Sequence, residues 1–104
     1  MSGDSDRPYQ VTWSQSVGDQ LRALKAQAHE LGLEASFSEG VRVIRERLQW
    51  SPLVSGEPLY HLPAMQLQVR VCAHRILSVR YAVDEEKRIV YVLGGALLGG
   101  QGPS

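Results

Sequence analysis

Cysteine, phenylalanine and surplus charge are all scarce in this chain. The single cysteine, Cys72, excludes an internal disulfide, so the fold rests on an apolar core and on hydrogen bonds. Its setting inside a strand-like run reads as a small buried hydrophobe rather than a reactive thiol. Lys+Arg and Asp+Glu number 11 each. That balance excludes wholesale coating of nucleic acid, which needs excess positive charge to displace counterions, but leaves room for a local basic patch. No apolar run reaches the ~20 residues of a membrane span. The opening residues, through Pro8, are polar and lack the pattern of a secretory leader. A cytoplasmic protein with no membrane attachment is expected. His29, His61 and His74 are scattered without zinc-ligand spacing, so neither a metal nor a cofactor is expected.

What is present is enough for one domain. The chain has 104 residues, 43% of them hydrophobic, and a chain of this size buries roughly 65% of its unfolded surface. Residues 1–8 read as a disordered tail, 9–93 as the folded domain and 94–104, rich in glycine, as a flexible end. Tyr9 to Trp13 alternates and predicts a short strand. Ser14 or Ser16 is placed to cap the helix that follows. Val17, Leu21, Leu24, Ala28 and Leu31 give that helix one apolar stripe, and Gly32 is placed to end it. Ser36-Phe-Ser-Glu39 has the spacing of a capping box for a second helix, whose stripe is Phe37, Val41, Ile44 and Leu48. Ser51-Pro52 stops it.

Residues 51–64 contain Pro52, Gly56, Pro58 and Pro63 and read as an ordered connector. From Met65 to Leu93 the pattern is three strands joined by turns near His74-Arg75 and at Asp84-Glu-Glu-Lys87. Period-two alternation puts Val69, Val71, Val79, Tyr81 and Val83 on one face, and Gln68, Arg70, Ser78 and Arg80 on the other. This requires an odd number of residues in the first turn. The last strand, from Ile89, is apolar on both faces and should lie inside the sheet. The expected fold is α+β in two layers, strand-helix-helix-strand-strand-strand. A mainly antiparallel four-stranded sheet would be covered by two helices on one face and left open and basic on the other.

That order and several short phrases resemble the RelE/ParE toxin superfamily, closest to its YoeB-type messenger-RNA endonucleases. The phrases are Trp13-Ser14 with Asp19, Gly56-Glu57-Pro58-Leu59, Val69-Arg70-Val71, His74-Arg75-Ile76 and Tyr81-Ala82-Val83. The resemblance implies the toxin half of a toxin–antitoxin pair, a cognate antitoxin as partner and ribosome-associated cleavage of mRNA. It also admits gyrase inhibition, as in the ParE branch, or a catalytically degenerate protein-binding module. RNA cleavage through the ribose 2′-hydroxyl needs a base, cations for the charged transition state and an acid for the leaving oxygen. By resemblance Glu57 is the base, and Arg70 and Arg75 match residues that contact phosphate, Arg75 also as catalytic cation. Arg80 is a candidate for the same catalytic and phosphate-binding roles from its expected place on the open face, and His74 is a further candidate phosphate contact. The usual histidine-tyrosine pair after the last strand is missing, and His74 or His61 would have to supply the acid. The plainer readings are a solvated loop glutamate for Glu57 and the wet side of a sheet for the arginines. Arg88 reads as an ion-pair partner of Asp84, Glu85 or Glu86.

Overall fold

A computed structural model describes residues 7–64 and 67–98. Its elements are β1 (Gln10–Trp13), α1 (Gln15–Glu30), α2 (Glu34–Trp50), β2 (Glu57–Leu62), β3 (Leu67–His74), β4 (Leu77–Asp84) and β5 (Ile89–Leu97). The α+β class and the helix pair after the first strand match the sequence reading. The sheet does not: it has five strands, in the order β1-β5-β4-β3-β2. It is mixed, with β1 parallel to β5 and the remaining pairs antiparallel.

Local chemistry sets the helix boundaries. Ser14 caps α1, its Oγ accepting from Val17 N at 3.2 Å. Gly32, at φ +75, closes α1 in a Schellman turn: Leu33 N donates to Ala28 O and Gly32 N to His29 O. The chain then restarts at once as α2, so Leu33 is the N-cap and offers no side-chain bond. The expected capping box is therefore corrected: Ser36 and Glu39 lie inside the helix, and Glu39 is free to reach elsewhere. Phe37, Ile44 and Leu48 of α2 are buried against the sheet, each worth about 1.5–3 kcal/mol relative to exposure. Pro52 follows the C-cap Ser51, where a proline cannot continue the helix.

Four further expectations are corrected. The connector contains the edge strand β2, which pairs with β3 through a bulge at Leu59. The glycine-rich end is strand as far as Leu97, because Gly94–Leu97 pair with Leu77–Arg80; residues 99–104, like 1–6 of the expected N-terminal tail, lie outside the described residues. The β3–β4 turn has an even loop, Arg75-Ile76, with His74 opposite Leu77. Arg75 takes φ +57, the left-handed geometry that matches the twist of a two-residue hairpin.

That even loop inverts β3 relative to the expected faces. Cys72 pairs with Val79 and Arg70 with Tyr81, so these four share the helix-covered face. The core there is Phe37, Ile44, Leu48, Cys72, Leu77, Val79, Tyr81, Val83, Val90 and Val92, with Tyr9 and Ala28. Val69 and Val71 go to the opposite face, beside Ala82 and Arg80. The helices therefore do not pack on Val69 and Val71, as the alternation had suggested.

Candidate functional site

Arg70 is only 8% exposed and each of its guanidinium nitrogens donates a hydrogen bond inside the protein. Nε donates to Ser55 O at 3.1 Å, Nη1 to Gln68 Oε1 at 2.7 Å and Nη2 to Gly56 O at 3.3 Å. Tyr81 Oη lies 2.8 Å from the carbonyl oxygens of both Pro52 and Ser55, which share its one proton. Burial pushes the Tyr81 phenol up, partly offset by Arg70 beside it. The two side chains satisfy the polar backbone of the α2–β2 connector, which would otherwise be buried unpaired. Arg70 is thus removed from the phosphate-binding set: it lies on the covered face and serves structure.

Arg75 and His74 sit at the hairpin tip, tied to α2. Arg75 Nε is 3.1 Å from Glu39 Oε1, and His74 Nε2 is 3.4 Å from Glu39 Oε2. These bonds, His74's first and Arg75's second, hold the Glu39 carboxyl below its usual range. The contact is close because α2 presents Gly40 there: a β-carbon at Gly40 would stand 3.0 Å from His74 O. Glu39 is the functional neighbour that sequence reasoning missed, since its spacing from Ser36 read as a cap.

Glu57 and Arg80 do come onto one face. The ladder places Glu57, Val71, Arg80 and Gly94 in a single row across β2, β3, β4 and β5. This row lies on the face opposite the helix-covered core, with Gln20 of α1 reaching its Gly94 end. Two strand spacings separate Glu57 from Arg80, about 10 Å. Both are exposed, and neither side chain has a hydrogen bond or ion pair among the described residues. The Arg80 guanidinium lies over Gly94, where a β-carbon would meet Nη2 at 2.9 Å and Gln20 Oε1 at 3.0 Å. Arg80 also borders a shallow hollow of about 310 Å³ with Leu59, Val71, Ser78, Gly95 and Ala96. The expected basic face is largely apolar. Its next row runs Tyr60, Val69, Ala82, Tyr91 and Thr12.

His61 is remote from this row. It lines an open cleft of about 1080 Å³ with Tyr9, Pro63 and the turn from Asp84 to Arg88. Arg88 is not the expected ion-pair partner of that turn. Its guanidinium carbon lies 4.4 Å from the Tyr9 ring centroid, a cation–π contact, and Nη2 donates to Arg7 O. Asp84 instead accepts from Lys87 N at 3.0 Å, which shapes the turn locally.

A second opening lies between the helices. Trp13 is 47% exposed and Val41 40%, at the mouth of a groove of about 360 Å³ with Leu21 and Phe37 on its walls. Beneath it an apolar void of about 100 Å³ reaches Val11, Ile44, Leu48, Val79 and Val92. Lys25 and Arg22 edge the groove, and Arg42 and Arg45 stand on the α2 side.

The chain matches no family model, no curated protein and no solved structure. Among the described residues, no helix is long and apolar enough to cross a membrane.

Proposed function

We propose that the protein is a toxin-class partner protein of RelE/ParE-like design, built to bind a cognate antitoxin and lacking a complete RNA-cleaving centre. The single observation that carries this reading is the groove between α1 and α2. There the apolar core is left open at Trp13 and Val41, edged by Lys25, Arg42 and Arg45 with Glu46 beside them, and by Arg22, which is paired with Asp19. Such an apolar floor with cationic edges suits an amphipathic segment with acidic flanks. The candidate catalytic residues support the same reading by their separation. Arg75 is engaged with Glu39 at the hairpin tip, Arg70 is internal, and the row through Glu57 and Arg80 ends at Gly94, which has no side chain to give a proton.

The test is co-expression with the short reading frames adjoining this one. The expected result is co-purification of an acidic small protein, lost in Val41→Glu with the fold intact by circular dichroism. A chain that purifies alone beside every adjoining product sinks the proposal.

A second reading, RNA cleavage, is favoured by one observation: Glu57 and Arg80 share a row on the face opposite the helix-covered core. Mapping mRNA ends in a translating extract decides it. New 5′ ends that vanish in Glu57→Gln would support cleavage, and an unchanged end map would dismiss it.

A further inference from the structure

The core under the helices is not filled. A void of about 100 Å³ lies between α2 and the sheet, with Ile44, Leu48, Leu77, Val79 and Val92, all buried, standing around it. Protein interiors leave few spaces larger than a water molecule. This one offers water no partners, because apolar side chains form its walls apart from Arg45. It adjoins the groove of about 360 Å³ between the helices, sharing Trp13, Leu21 and Val41 with it.

Arg45 is the one charged residue among those that wall the void. It is exposed and makes no hydrogen bond or ion pair among the described residues. An arginine so placed lays its stem against apolar surface and keeps its guanidinium in water. Glu46, next on the helix, lines the outer hollow with Arg45 but neither the void nor the groove. The result is a dry pocket with an unpaired cation at its mouth.

We infer that the void and the groove bind a medium-chain aliphatic carboxylate, its tail in the void and its carboxylate on Arg45. Size selects the tail. An apolar cavity of about 150 Å³ holds benzene, or about 25 Å³ per carbon. On that scale a void of about 100 Å³ takes about four carbons of chain and excludes an aromatic ring. The next methylenes lie on the groove floor, against Leu21 and Phe37. Charge selects the head. A carboxylate at the mouth accepts the two parallel bonds that the Arg45 fork can give, with Lys25 at the groove edge adding a second cation. No polar wall below could receive the head, so the orientation is fixed. The inference goes beyond the antitoxin reading and does not need it, since the acid binds the chain alone. Both occupants use the mouth at Val41, so the acid would compete with an antitoxin segment.

Titration of the full chain with hexanoate, octanoate and decanoate, each below its micelle concentration and followed by methyl NMR, tests it. The methyl signals of Ile44, Val79 and Val92 are expected to shift saturably. Affinity should rise about fourfold per added methylene until the groove floor is covered. Octanol has the octyl tail without the charge and should bind at least about tenfold more weakly than octanoate. Arg45→Met should bring octanoate down to the octanol level and leave octanol unchanged. Val79→Ile with Val92→Ile fills about half of the void and should weaken octanoate about tenfold, with the melting temperature showing the fold intact. Octanoate that leaves the buried methyls unmoved overturns the inference. So does octanol that binds as tightly as octanoate, or an Arg45→Met chain that binds octanoate as the wild type does. Acid binding that persists when no acidic protein co-purifies would remove the antitoxin reading and support this one.

Discussion

Arg70 and Tyr81 are direct partners across β3 and β4, and both converge on the carbonyl of Ser55. The pair turns a loop of irregular backbone into a fixed hinge between α2 and β2. It lies where a half-open sheet would be expected to carry phosphate contacts.

Tyr81→Phe keeps the ring and removes the donor to two carbonyls. The expected loss is about 1–2 kcal/mol of unfolding free energy, the cost of leaving buried acceptors unpaired, read by urea denaturation. The wild type should also lose stability in alkali. Burial raises the folded phenol above its usual value near ~10, so its contribution is complete below that value and is lost as pH rises through the raised one. The phenylalanine variant should not show this alkaline loss.

Arg70→Lys retains the charge but not the fork. Three acceptors, two of them consecutive carbonyls of the connector and one on β3, need donors in a fixed plane, so the lysine is expected to destabilise by about 2–3 kcal/mol. A variant as stable as the wild type by thermal melting would refute the structural role.

Two glycines should respond in opposite ways to alanine. Gly56 has φ +66, and a β-carbon there would lie 2.0 Å from Val71 O. Backbone cannot retreat from such a clash, so Gly56→Ala is expected to abolish folding of β2 or lower the melting temperature sharply. At Gly94 the obstructing atoms are the tips of Arg80 and Gln20, both flexible. Gly94→Ala should melt within a few degrees of the wild type.

Glu39 links stability to acid. Its carboxyl is held low by the hydrogen bond to His74 and then by that to Arg75. A depressed folded value contributes stability above the unfolded value and loses it as pH falls through the folded one. Melting temperature should therefore fall on acidification below the ordinary glutamate range, near ~4.3. Glu39→Gln should flatten that fall while leaving the hairpin register intact by amide exchange.

The sequence made some features readable because their causes are local. Ser14 and Gly32 terminate α1 through bonds within a turn of themselves, and β4 shows its alternation openly. Three others left no such mark in the sequence. β2 has no alternation to read, because it is an exposed edge strand carrying Pro58 and a bulge. The inversion of β3 hinged on one left-handed residue, Arg75, a conformation that glycine or asparagine would have announced. Arg70 looked like a surface cation because nothing nearby in sequence reveals that Ser55 and Gly56 would come round to meet it. Arg80, placed on the open face by the same alternation, stayed there.

The parallel pairing of β1 with β5 has a consequence for synthesis. Val11 aligns with Val90, and Trp13 with Val92, so the strand made first finds its neighbour only in the strand made last. Contacts this far apart in sequence slow folding, because chain closure precedes any reward. A chain halted before Ile89 retains α2 against the β3–β4 hairpin but leaves β1 without a strand to pair with. The arrival of β5 is thus the event that ties the first strand into the sheet.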